Sequence, residues 1–343
     1  MHFTTNFMKI IKSIIIICLL SIFFSKTCYN PENVKKKELY NYQDFKDNVI
    51  PAINIIKKDD LINENVMSTL NNYSSLKTMI KEANIQIPVE NKFIPQGITL
   101  VRRHYLITGY YDSHKKSKCY VIDALGDIVN IVELDTDSHV GSISYDEKRQ
   151  LLWIPDNDGV LNAYTVSDFF TKQNVKAKYK FNYISEELID FQNSSKKLIA
   201  YLCVDGDYLY IGNFFINSEC TVKKYKITSN DKKIDLKYID KFIVPKKTQS
   251  LDFVEYNHKK YLLISQSYGR SFSSFLYVYE YEEKRKNYVG AELKKIKTPP
   301  LMEQISVNDS LLYLLFESNA SKYWNCKERI EFIMSLNVND LLN

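Results

Sequence analysis

Gln96-Gly97-Ile98-Thr99-Leu100, a polar turn at 101–104, then Tyr105-Leu106-Ile107-Thr108: this stretch decides the fold, because the chain repeats it. The same pair of short apolar runs returns as Val140-Gly141-Ser142-Ile143-Ser144 with Leu151-Leu152-Trp153-Ile154, and as Ile199-Ala200-Tyr201-Leu202-Cys203 with Tyr208-Leu209-Tyr210-Ile211. It returns twice more, as Ser250-Leu251-Asp252-Phe253-Val254 with Tyr261-Leu262-Leu263-Ile264, and as Glu303-Gln304-Ile305-Ser306-Val307 with Leu311-Leu312-Tyr313-Leu314. Turns such as Asp205-Gly206-Asp207 and Asn308-Asp309-Ser310 supply the backbone bends that hairpins need. A third run follows each pair, at 119–122, 160–164, 221–227, 275–280 and 332–336, and a fourth at 128–134, 176–183, 238–244 and 291–296. Four strands per unit and a period of roughly 45–60 residues describe a propeller blade. The expected fold is therefore an all-β propeller of five blades, with a sixth at 167–199 as the alternative. The last unit lacks a fourth strand. The segment 85–93 is expected to supply it, closing the ring and leaving no free sheet edge.

Composition supports strands and narrows function. The chain of 343 residues has 26 Tyr and 18 Phe, residues that suit half-buried pleated surfaces. The 46 basic and 41 acidic side chains nearly cancel, and the lysines are scattered, so a nucleic-acid partner is not expected. Lys9 and Lys12 precede an apolar run at 14–24 that is too short to span a bilayer but suits the core of a signal peptide. Residues 1–27 are thus expected to be a signal peptide, 28–84 a polar helical extension with helices near 40–57 and 60–82, and 85–343 the propeller. The protein is expected to be secreted or held at the cell surface, touching a membrane only through the signal segment or an anchor, with lipidation at Cys28 as one route. Cys28, Cys119, Cys203, Cys220 and Cys326 are widely spaced and contain no Cys-x-x-Cys, which argues for isolated thiols over a disulfide framework or zinc site.

In a propeller the inner strands line a central channel, and loops on one rim form the usual ligand site. Gln96, His139, Gln249 and Glu303 stand where inner strands begin. Second strands end near Tyr110, Tyr111 and Asp112, Asp156 and Asn157, Asn213, Gln266 and Ser267, and Glu317 and Ser318. From these, Gln96, Tyr111, Asp156, Asn213, Gln249, Gln266, Arg270 and Glu317 form the candidate ligand-binding set. Arg270 is singled out because its planar fork suits a carboxylate or phosphate, or a salt bridge to Glu303 or Glu317. Glu303, Glu317, Asp156 and Asn213 offer the oxygen ligands calcium prefers, and His139 or Glu303 would then act as a base on bound water. No nucleophile elbow, phosphate-cradling glycine loop, dinucleotide fingerprint or zinc-protease helix occurs.

The segments Pro95-Gln96-Gly97-Ile98-Thr99, His139-Val140-Gly141-Ser142-Ile143-Ser144-Tyr145-Asp146, Ser265-Gln266-Ser267-Tyr268-Gly269-Arg270 and Phe316-Glu317-Ser318 resemble those of secreted clostridial-type β-propeller proteins. The resemblance runs from about residue 90 to the C-terminus. More distantly the layout is similar to gluconolactonase, strictosidine synthase and NHL-repeat propellers. That resemblance implies either a binding scaffold or a calcium-dependent hydrolase of lactones or esters. The expected function is binding of a small molecule, glycan or surface protein at the channel rim, with the calcium-dependent hydrolase as the alternative.

Overall fold

The computed structural model describes residues 62–113, 115–156, 159–182, 199–230 and 233–343. Five antiparallel four-stranded sheets follow one another as blades of a ring. Blade 1 is β2 (Phe93–Val101), β3 (His104–Tyr111), β4 (Lys118–Ile122) and β5 (Ile128–Glu133); blade 2 is β6 (Ser144–Asp146), β7 (Leu151–Pro155), β8 (Val160–Thr165) and β9 (Tyr179–Asn182). Blade 3 is β10 (Tyr201–Asp205), β11 (Tyr208–Gly212), β12 (Cys220–Asn230) and β13 (Lys233–Val244), and blade 4 is β14 (Thr248–Tyr256), β15 (Lys259–Gln266), β16 (Ser274–Glu280) and β17 (Lys294–Thr298). Blade 5 is β18 (Met302–Asn308), β19 (Leu311–Phe316) and β20 (Phe332–Asn337), completed by β1 (Ile80–Gln86) from the other end of the chain.

The closing strand thus lies earlier than the expected 85–93. Pro88 cannot donate to a ladder, so pairing with β20 ends at Gln86 opposite Phe332, and Phe93 opens blade 1 instead. Within the expected helix at 60–82 stand two short ones, α1 (Glu64–Thr69), capped by the Asn63 side chain, and α2 (Ser74–Met79). Leu70, Leu76 and Ile80 face the core as the spacing requires, but the chain turns extended at Ile80. Between Thr165 and Tyr179 sits only α3 (Val166–Thr171), and β9 is the outer strand of blade 2; no sixth sheet occurs among the described residues. The signal segment, Cys28, the helix expected near 40–57 and Asn157 lie outside the described residues. No helix among those described is long and apolar enough to cross a membrane.

The core lies in the seams between blades, where side chains of facing sheets interdigitate. One apolar cluster joins Val101 and Leu106 of blade 1 to Ile143 and Ile154 of blade 2; another joins Trp153 and Leu161 to Leu202 and Ile227 of blade 3. This use explains the tyrosines: Tyr120, Tyr164, Tyr201, Tyr210, Tyr279 and Tyr288 are fully buried wedge fillers, most with a hydroxyl led to a partner, as Tyr164 to Asp135 at 2.7 Å. Cys119, Cys203, Cys220 and Cys326 are all buried free thiols.

Near the axis, polar side chains staple one inner strand to the next. The Ser144 hydroxyl accepts the Val204 N–H (2.9 Å), Ser250 accepts that of Ile305 (2.9 Å), and Asp252 that of Val307 (2.6 Å). Gln304 reaches furthest. Its Oε1 accepts the N–H groups of both Ile98 (2.9 Å) and Ile143 (3.0 Å), while its Nε2 donates to the Ile143 carbonyl (2.8 Å). Blade 5 is thereby tied to blades 1 and 2. Gly97 permits this approach: a Cβ there would fall 2.9 Å from the Ile143 nitrogen.

Candidate functional site

A cavity of about 650 Å³ opens at one end of the channel, within the range of small-ligand sites. Its floor is polar. Gln96, Gln249 and Glu303 come from inner strands, Glu317 from the end of β19. Local backbone features aim these groups. Each of the three inner strands breaks register at its polar residue: between Pro95 and Gly97, between Thr248 and Ser250, and between Met302 and Ile305. Such bulges re-aim a side chain out of the sheet's alternation. Each strand is also preceded at or near its start by a non-glycine residue in the left-handed region, Lys92, Lys247 and Leu301.

Glu303 and Glu317 meet at the floor. Both are buried (5% exposed each) and joined by a side-chain hydrogen bond. Burial pushes the Glu303 carboxyl well above the usual carboxylate range, and the Glu317 charge pushes it further. Burial raises Glu317 too, but donors from Tyr323, Glu303 and Gln96 pull it back. In the hydrogen bond between them Glu303 is the donor and Glu317 the acceptor. Gln96 Nε2 donates to Glu317 Oε2 at 2.6 Å, and Gln249 Nε2 lies 3.5 Å from Glu303 Oε1.

The walls are aromatic and the mouth is cationic. Tyr110, Tyr268, Tyr323, Phe214 and Phe215 line the cavity. Tyr323 links floor to mouth: its hydroxyl donates to Glu317, and its face lies 5.3 Å from the Arg270 guanidinium. Lys322 Nζ donates to the Tyr110 hydroxyl (2.9 Å) and pairs with Asp112 (3.2 Å). The His139 ring tilts against Tyr110 with centroids 4.3 Å apart. His139 stands deep among protein atoms yet keeps an exposed ring, because the cavity reaches it. Enclosure, then the Lys322 charge, pushes its pKa down to about 4, so the ring is neutral at pH 7.

Of the sequence candidates, Gln96, His139, Asp156, Asn213, Gln249, Arg270, Glu303 and Glu317 all line this cavity. Tyr111 and Gln266 do not. Tyr111 packs on Phe93 in the seam, and Gln266 donates to the Lys246 carbonyl and accepts from Tyr277; their strand neighbours Tyr110 and Ser267 face the cavity. Arg270 bonds Asn325, at 2.9 Å, rather than either glutamate. Of the four proposed calcium ligands, Asp156 accepts from Thr136 (2.5 Å) and Asn162 (3.0 Å), and Asn213 Oδ1 accepts the Thr221 N–H (2.8 Å). Among the described residues no group of three or more His, Cys, Asp and Glu is placed to hold a metal ion. Lys322 and Tyr323 were not anticipated; their signal is the long segment 317–331, where a hairpin needs only a short turn.

No protein family and no curated protein sequence matches the chain. Solved structures share its propeller architecture at low identity. The WD40 propeller domain of Doa1 is 11% identical, covering 70% of this chain and 83% of that one, with a TM-score of 0.37. A Bombyx mori GH32 β-fructofuranosidase in complex with sucrose is 13% identical over 74% of this chain and 61% of that one, with a TM-score of 0.43. The WD40 repeats of RRP9 are 8% identical over 76% and 98%, also at 0.43.

Proposed function

We propose that this protein is an exported binding module that holds a sugar residue of a glycan in the cavity at the channel mouth. The observation that carries the reading is the hydrogen-bonded, buried pair Glu303–Glu317, flanked by Gln96 and Gln249, beneath walls of Tyr110, Tyr268 and Tyr323. Such a floor offers both donors and acceptors within a small area, which matches adjacent sugar hydroxyls. The aromatic faces match the apolar faces of a pyranose ring. Lys322 and Arg270 at the mouth disfavour a simple cation as the ligand. The apolar leader at 14–24 supports export to where glycans are displayed.

Screening the purified protein on a glycan array, with saturation-transfer NMR on the hits, tests this. Glu317→Gln removes the ionised acceptor at constant volume, and binding is expected to weaken at least about tenfold, as for a lost hydrogen bond to a charged group. An array without hits, or hits bound equally by Glu317→Gln, refutes the reading. A calcium-dependent rise in Tm that Glu303→Gln abolishes would favour the metal-assisted hydrolase instead.

A further inference from the structure

Arg270 differs from the other cations near the cavity. Lys322 has Asp112 and Tyr110 for partners, whereas Arg270 makes no ion pair among the described residues. It is nevertheless held in place from three directions. Its guanidinium lies over the Tyr323 ring at 5.3 Å, its Nη1 donates to Asn325 Oδ1 at 2.9 Å, and its carbonyl accepts from the Cys326 thiol at 3.6 Å. Gly269, at φ +77°, makes the turn that places it there. The floor glutamates do not neutralise it: Tyr323 gives its hydroxyl to Glu317 and only its face to Arg270. A guanidinium fixed on one edge by an amide and stacked on a ring still has free N–H groups in its plane. That is the geometry that accepts two oxygens of a carboxylate or of a tetrahedral oxyanion at once.

We infer that the sugar bound here carries an anionic substituent, a carboxylate or a sulfate, seated on Arg270 at the mouth while its hydroxyls engage the Glu303–Glu317 floor. This rests on the glycan reading above. The two charge layers then face complementary parts of one ligand: the acid pair meets neutral hydroxyls, and the mouth meets the negative group. Tyr323 sits between as the ring platform.

The test is calorimetric titration of wild type and Arg270→Gln with glucose, glucuronate and glucose 6-sulfate, and with galactose and galacturonate. For wild type the acidic member of a series is expected to bind at least about tenfold tighter than its neutral counterpart, the usual worth of a charged hydrogen bond. The ratio of acidic to neutral affinity, measured within the variant, should fall to about one in Arg270→Gln. Comparing glucuronate with the 6-sulfate identifies which oxyanion the site prefers. Neutral sugars bound as tightly as acidic ones, or an acidic preference that survives Arg270→Gln, overturn the inference and leave the glycan reading intact. Failure of every sugar to bind overturns both.

Discussion

Gln304→Leu tests how the ring is held, because one side chain there serves three backbone groups on two other blades. Gln304 is 4% exposed, and leucine removes its amide while keeping an apolar side chain one bond shorter. The substitution orphans the Ile98 and Ile143 N–H groups and the Ile143 carbonyl, which Gln304 meets at 2.9, 3.0 and 2.8 Å. A buried backbone group that loses its partner costs about 1–3 kcal/mol, so three orphans give about 3 kcal/mol at the low end and about 9 kcal/mol if the strands cannot shift. In a domain of this size that lowers Tm by roughly 6–18 °C. Gln304→Glu is the informative companion: it keeps acceptors for both N–H groups but loses the donor and adds a charge beside Glu303. Urea unfolding followed by tryptophan fluorescence measures both, since Trp153 is fully buried in blade 2, which Gln304 reaches through Ile143. A loss below about 1 kcal/mol for Gln304→Leu would show that water replaces the amide. The channel would then be wet at that level, and Gln304 would not be its seal.

Deleting Ile80–Gln86 strips β20 of its outer neighbour, and the exposed edge is expected to drive aggregation visible by light scattering; a monomeric deletion with a cooperative melt would refute closure by β1. Lys92→Gly relieves a left-handed, exposed non-glycine residue (φ +67°) and is expected to add about 0.5–1 kcal/mol in urea unfolding; an unchanged or lower midpoint refutes the strain assigned there. Asp252 titrates near pH 6 because burial outweighs its hydrogen bonds, so its folded pKa lies above the unfolded 3.8. The proton it retains stabilises the fold fully below pH 3.8, and that contribution is lost as pH rises through 6. The stability of wild type minus that of Asp252→Asn should therefore fall between pH 4 and 6 and level off above, and a difference that rises over this range would contradict the burial argument.

The blades were legible because their inner and second strands are buried on both faces, which writes a short continuous apolar run into each, as at 151–154 and 311–314. What the sequence hides is which polar residue at the end of such a run faces the cavity. Tyr110 and Tyr111, like Gln266 and Ser267, differ by one position and therefore by one face, and nothing local says which looks into the cavity. The bulges at Gln96, Gln249 and Glu303 are likewise invisible, since they arise from how neighbouring strands pair. The closing strand was the one misplacement with a readable signal: Pro88 marks where pairing must stop. Lys322 and Tyr323 come from a segment between strands, so a search confined to strand ends passes over them.

The placement of strain points to the same rim as the chemistry. Val140 and Leu301 both line the cavity with left-handed backbones, at φ +41° and +62°. For a β-branched or branched residue that conformation costs about 1–2 kcal/mol, and glycine would remove it. The chain instead keeps bulk at both positions, next to His139 and two residues before Glu303. Bulges fall on the inner strands of blades 1, 4 and 5, and register is unbroken along those of blades 2 and 3. A scaffold selected only to close a ring would gain nothing from distorting three inner strands of five. Distortion that turns Gln96, Gln249 and Glu303 toward one polar floor makes sense if that floor must meet a ligand, and Gln304, one residue on, ties blade 5 to blades 1 and 2.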